Sequence, residues 1–175
     1  MNDPAWRSVS HMALVTPDMD TTVRFYAGVL GMPVVGAIMA GPMRHYFFKI
    51  GEHNTVAFFE IPGMETWAKG AGSPPDRPIQ FDHLAFDVAD EDELLRLRKR
   101  LLEHGCEVTE VVDHGMLQSV YFTDPNGIAL EACYWVEDPT PAGADPIIED
   151  PDPVPALREI RETGRLRETP TTRLV

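Results

Sequence analysis

VSHMALVTPDMDTTVRFYAGVLGM, residues 9–32, reads as a short strand carrying one histidine, then a helix, then a glycine stop. FDHLAFDVADEDELLRLRKRLLEHGC, residues 81–106, has the same plan. His11 and His83 take the same place in the two copies, so the chain contains an internal repeat. In the second copy Asp90 is a helix N-cap with Glu93 three residues on, the pattern of a capping box. Leu94, Leu97 and Leu101 recur at helical spacing, and Gly105 suits the C-terminal stop. In the first copy Val23, Tyr26 and Leu30 form the apolar stripe and Gly31 follows.

Strand-like runs broken by turns follow each helix. They are MPVVGAIMA, MRHYFFKI and NTVAFFEI in the first copy, and EVTEVVDH, LQSVYFTD and IALEACYW in the second. Gly41-Pro42, Gly51-Glu52 and Asp124-Pro125-Asn126-Gly127 mark turns. The expected fold is therefore α+β, two paired βαβββ modules whose curved mixed sheet surrounds a central cleft. The expected organisation is a first module over residues 1–61, a Gly/Pro-containing linker over 62–78, a second module over 79–136 and an acidic, proline-rich arm over 137–175. PALREIRETGRLRE in that arm has the composition of one short helix, but the arm as a whole reads as irregular.

Bulk properties narrow the function classes. The chain has 175 residues, 43% hydrophobic and 25% charged, as in an ordinary globular protein. A net charge of −13 disfavours nucleic acid and anionic membrane surfaces as partners. No apolar run reaches membrane-spanning length, and MNDPAWRSVS lacks the basic and apolar regions of a secretory signal. Cys106 and Cys133 share no close spacing and read as reduced, mostly buried thiols of a cytoplasmic protein.

The repeat also carries chemistry. If the two modules pair about a pseudo-twofold axis, His11 and His83 face one another. Glu131 sits among apolar residues on the last strand of the second module, and Glu60 sits similarly in NTVAFFEI. A carboxylate in such a place costs several kcal/mol unless it is paired or bound to metal. Two imidazoles with one or two carboxylates suit Fe(II), Mn(II), Ni(II), Co(II) or Zn(II).

These residues resemble the vicinal oxygen chelate superfamily, which includes glyoxalase I, methylmalonyl-CoA epimerase, extradiol ring-cleaving dioxygenases, fosfomycin-resistance enzymes and metal-free bleomycin-binding proteins. The resemblance spans about Ser8 to Trp135 and implies ligands at His11, Glu60, His83 and Glu131. A more specific likeness lies in VDHGMLQSVYFTDPNGIALE, residues 112–131, which is similar to the signature of type I extradiol dioxygenases through His114, Tyr121, Asp124, Pro125, Gly127 and Glu131. That likeness implies a facial triad of His11, His83 and Glu131 on Fe(II). A catecholic substrate chelates through two vicinal oxygens, dioxygen takes a remaining position, and His114 and Tyr121 hydrogen-bond the chelated oxygens. One departure counts against ring cleavage. Asn54 stands where such dioxygenases carry an acid–base histidine, and His53 lies one residue early, on the other face of a strand. Glu60 instead favours a glyoxalase-like lyase or an epimerase, in which a carboxylate at this place binds metal and acts as general base. The third class is a metal-free protein that sequesters a small molecule in the same cleft. The resemblance allows a homodimer.

Overall fold

The computed structural model describes residues 8–77, 81–168 and 170–171, so the expected starts of both modules, at residues 1 and 79, and the last residues of the arm lie outside the described residues. The chain divides into two compact units, residues 1–138 and 139–175.

The first unit is α+β and holds both repeats. Strand β1 (His11–Thr16) leads into helix α1 (Met19–Val23), which continues as a π-helical stretch over Arg24–Val29, and then into β2 (Val34–Ala40), β3 (Met43–Lys49) and β4 (Thr55–Glu60). The second repeat gives β5 (Leu84–Asp87), α2 (Glu91–Glu103), β6 (Val112–Asp113), β7 (Leu117–Thr123) and β8 (Ala129–Trp135). Each repeat builds its own four-stranded mixed sheet, ordered β1-β4-β3-β2 and β5-β8-β7-β6. In each, the first strand pairs parallel with the last and the other pairs are antiparallel. The run EVTEVVDH yields less strand than its composition suggests. Only Val112–Asp113 pair regularly, with a single bridge from Val108 to Phe122. Thr109 instead uses both its amide and its hydroxyl on the backbone of Tyr121.

Local chemistry explains the helices. Asp90 accepts the Glu93 amide at 2.9 Å, so the N-cap forms. The reciprocal half of a capping box does not, because the Glu93 carboxylate pairs with Arg96. Leu94 and Leu101 are fully buried. Gly105 adopts φ 75°, and the Cys106 amide then reaches back to Leu101 O at 2.9 Å. In the first repeat Asp18 caps α1 through the Thr21 amide, and Tyr26 is buried against Phe48 and Phe58, with ring centroids 5.3 and 4.9 Å away. Burying a side chain of this size contributes roughly 1.5–3 kcal/mol.

Residues from both repeats share one core, including Tyr26, Phe48 and Phe58 with Leu94, Val120 and Leu130. Polar contacts tie the repeats together. Tyr26 Oη donates to Asp124 Oδ2 at 3.2 Å, Thr16 Oγ1 donates to Asn126 Oδ1 at 2.8 Å, and the Arg100 guanidinium donates to the carbonyls of Gly28 and Val29. Burial pushes both the Tyr26 phenol and the Asp124 carboxyl upward, so the phenol keeps its proton as the donor.

The Asp124–Gly127 turn does more than reverse the chain. Asp124 Oδ1 accepts the amides of Asn126 and Ile128, and Gly127 adopts φ 83°. A Cβ at Gly127 would lie 2.4 Å from Trp67 O, so the segment joining the modules packs directly on this turn. That segment, residues 61–77, contains no helix or strand.

The second unit contains α3 (Pro155–Thr163), begun by a proline and ended by Gly164 at φ 73°. No α3 side chain is buried, and the remaining described residues of the arm are irregular. Among the described residues no helix is long and apolar enough to cross a membrane.

Candidate metal centre

Side chains alternate across a strand, so the pairing register decides which residues meet. In the second sheet Ala85 pairs with Glu131, placing His83, Ala85 and Glu131 on one face. His83 Nε2 lies 2.7 Å from Glu131 Oε2. Glu131 is 5% exposed, and its other oxygen accepts hydrogen bonds from Ser119 Oγ and, at 3.2 Å, from Tyr121 Oη. Tyr121 Oη lies 2.8 Å from His114 Nε2, and His114 itself is exposed. Burial raises the Tyr121 phenol above its ordinary value, so it stays a hydroxyl donor. With the phenol proton directed at Glu131, His114 Nε2–H is the donor to the phenol oxygen, and the chain runs His114, Tyr121, Glu131, His83.

On its other side His83 Nδ1 lies 2.6 Å from Asp82 Oδ2. Asp82 also pairs with Lys69 Nζ and accepts the Gly72 amide at 2.7 Å. Hydrogen bonds from Lys69, then His83, then the Gly72 amide hold the Asp82 carboxyl well below the usual carboxylate range. Cys133 is the next residue on the Glu131 face of β8, and burial pushes its thiol up to about 11.

Two of the expected ligands stand apart from this pair in the structure. Glu60 does not join the pair. β1 and β4 pair with His11 opposite Thr55, Ala13 opposite Ala57 and Thr16 opposite Glu60. The position matching Glu131 is therefore Ala57, two residues beyond the partner of the strand's histidine. Glu60 falls on the opposite face from His11, where its carboxylate accepts the Met19 amide at 2.9 Å and pairs with Arg44. These two donors, the Met19 amide first, lower its proton affinity. His11 also stands apart from His83 and Glu131. It is exposed, and its ring lies edge-on to Phe47 at 6.1 Å. Among the described residues no three His, Cys, Asp or Glu side chains come within reach of a common ion. His11 lies on β1, an edge strand of the other sheet.

Asn54 and His53 supply no acid–base group. Asn54 Oδ1 is buried without a partner and lies where a Cβ on Gly51 would meet it at 2.6 Å. His53 is largely exposed, 3.6 Å from Glu52. The first sheet does contain a histidine that sequence reasoning passed over. His45 is 8% exposed, stacks on Phe59 at 3.6 Å, and has no partner for Nε2. Burial, then the nearby His11, lowers its pKa. Its place in the alternating run MRHYFFKI hinted at nothing beyond core packing.

The chemistry of the donors suits a divalent ion. Glu131 Oε1 accepts from two hydroxyls, while Oε2 is in direct contact with His83 Nε2, an imidazole–carboxylate pair of the donor types that divalent ions take. A cavity of about 400 Å³ is lined by Ala13, Val15, Trp67, Phe81, Asp82 and Ala129, and it meets the pair only through Asp82, the hydrogen-bond partner of His83.

Residues 8–132 match the model of the Glyoxalase/Bleomycin resistance protein/Dioxygenase superfamily, and the chain belongs to that family. It is 29% identical over 125 residues to biphenyl-2,3-diol 1,2-dioxygenase 3 of Rhodococcus globerulus, covering 70% of this chain and 60% of that protein's length. It is 23% identical over 133 residues to the metallothiol transferase FosB of Lysinibacillus sphaericus, covering 71% and 80%. The fold matches a crystal structure of a glyoxylase/bleomycin resistance protein/dioxygenase domain from Frankia sp. EAN1pec with a TM-score of 0.64 at 23% identity, covering 75% of this chain and 99% of that one. It also matches the fosfomycin resistance protein FosX of Mesorhizobium loti, with a TM-score of 0.54 at 23% identity and coverage of 73% and 91%.

Proposed function

We propose that this chain is a divalent-metal-dependent enzyme, an Fe(II) extradiol-type dioxygenase acting on a catecholic substrate that presents two vicinal oxygens. The observation that carries this reading is the continuous hydrogen-bonded chain from His114 through Tyr121 to Glu131 and His83. His83 and Glu131 would hold the ion. When bound, such an ion supplies Lewis acidity toward a chelated hydroxyl and, as Fe(II), redox access to dioxygen.

The chain's own residues do the rest. Tyr121 Oη sits between His114 at the exposed end and Glu131 at the buried end, accepting from the first and donating to the second, so it is placed as a hydrogen-bonding and proton-transfer group beside the ion's carboxylate ligand. Trp67 and Phe81 offer apolar walls to an aromatic ring. The similarity to a biphenyl-2,3-diol dioxygenase makes a 2,3-dihydroxybiphenyl the natural first substrate to assay. The lyase reading has less support, since the Glu60 carboxylate accepts the Met19 amide and pairs with Arg44.

The test is anaerobic loading with Fe(II), then addition of catechol or 2,3-dihydroxybiphenyl and air. The expected result is oxygen uptake with a yellow ring-opened product. Iron-loaded protein that binds the diol and consumes no oxygen would sink the proposal.

A further inference from the structure

We infer that Asp82 and Lys69 are positioning residues for His83, so that the segment joining the modules is part of the metal site. This inference rests on the reading of His83 as a ligand. Imidazole offers Nε2 to a cation only when Nδ1 carries the proton. Asp82 Oδ2, 2.6 Å from Nδ1, holds the proton there and leaves Nε2 facing Glu131. It also opposes a ring flip, which would aim Nδ1 at the carboxylate of Glu131.

Asp82 is in turn fixed by residues 69–72. The Lys69 side chain is only 9% exposed, and its ammonium pairs with Asp82 and donates to Gly70 O at 2.9 Å. A buried ammonium in an irregular segment is costly unless paired, so this segment docks where Asp82 is. The Gly72 amide adds a second hold at 2.7 Å. An independent contact clamps the same segment, because the Trp67 carbonyl packs on Gly127, where there is no room for a Cβ. The joining segment thus reaches the ligand through three linked groups: Lys69, Asp82 and His83.

The experiment titrates Mn(II) into the full chain and into Asp82→Asn, Asp82→Ala and Lys69→Met, with thermal unfolding as a check on folding. Loss of such a partner typically weakens metal binding by about 10–100-fold. Asp82→Ala is expected in that range, Asp82→Asn weakened less because it keeps an acceptor for Nδ1–H, and Lys69→Met weakened several-fold. In the Zn(II)-loaded protein a downfield, exchange-protected imidazole N–H proton of His83 is expected, and Asp82→Ala should abolish it. A merely structural role for Asp82 would not move that signal selectively. A folded Asp82→Ala or Asp82→Asn protein that binds Mn(II) like the parent overturns the inference. A parent chain that binds no Mn(II) overturns the metal reading itself, which is a distinguishable failure.

Discussion

Ala57 and Glu131 hold the same position in their two sheets, each on the last strand of its module, paired to the residue two beyond the module's histidine. One is a small apolar residue and the other a buried carboxylate. The repeat is therefore symmetric in backbone and asymmetric in chemistry. The same comparison sets Phe47, opposite Ala57, against Tyr121, opposite Glu131, so the phenol hydroxyl at this position also exists in the second module alone. His11 and Phe47 lie 6.1 Å apart between ring centroids, and His83 and Tyr121 lie 6.2 Å apart, which shows how closely the scaffolds agree.

The asymmetry separates Glu60 from the metal site. Glu60→Gln removes the charge that pairs with Arg44 and weakens the acceptor for the Met19 amide. We expect a loss of about 1 kcal/mol in stability by denaturant unfolding. Metal stoichiometry, measured by titration with Mn(II), should be unchanged. A drop in stoichiometry would put Glu60 back among the ligands.

Tyr121→Phe removes this hydroxyl while leaving His83 and Glu131 in place. Oxygen uptake with 2,3-dihydroxybiphenyl should fall by about 100-fold or more, the usual scale for a proton-transfer group. Mn(II) affinity should change little. Parent-like turnover in this variant would exclude Tyr121 from the chemistry.

His45 makes stability depend on pH. Its folded-state pKa is depressed below the ordinary imidazole value of 6.5 by burial, with His11 adding to the effect. Between that depressed value and 6.5 the unfolded chain binds more protons than the folded one, so its contribution to stability rises with pH through this window. The contribution is lost as pH falls through the window. His45→Phe should remove this component of the slope while keeping the stack on Phe59. Denaturant midpoints measured from pH 5 to 7 decide the matter, and an unchanged slope would contradict it.

Gly127→Ala tests the clamp on the joining segment. Alanine at φ 83° carries a left-handed backbone penalty of roughly 1–2 kcal/mol, and its Cβ must displace the Trp67 carbonyl. We expect a fall in Tm of about 4 °C or more, on the scale of 2–4 °C per kcal/mol for a chain of this size. Proteolytic nicking near Trp67 should also speed up. Neither change would be seen if the segment were held elsewhere.

Much of this was legible in the chain itself. The repeat, the strand–helix order, the Asp90 cap, the Gly105 stop and the Asp124–Gly127 turn all follow from nearest-neighbour chemistry, and all appear in the structure. Glu131 was readable for the same reason, as a carboxylate stranded in an apolar run. His114 and Tyr121 were legible as a spaced motif, and the structure brings them within 2.8 Å.

What local pattern determined was which segments become strands and helices, and which polar residues lie in apolar surroundings that demand a partner. Tertiary structure alone decided the partners. Strand register sent Glu60 to the far face of β4 and put Ala57 opposite Ala13, and no motif count reveals that, because a shift of one residue reverses every side chain. The roles of Lys69 and Asp82 were likewise invisible, since a lysine among glycines and prolines looks solvated until the folded backbone buries it beside a carboxylate. Hydrogen bonds and ion pairs act over a few ångströms, and only folding sets those distances between residues remote in the chain.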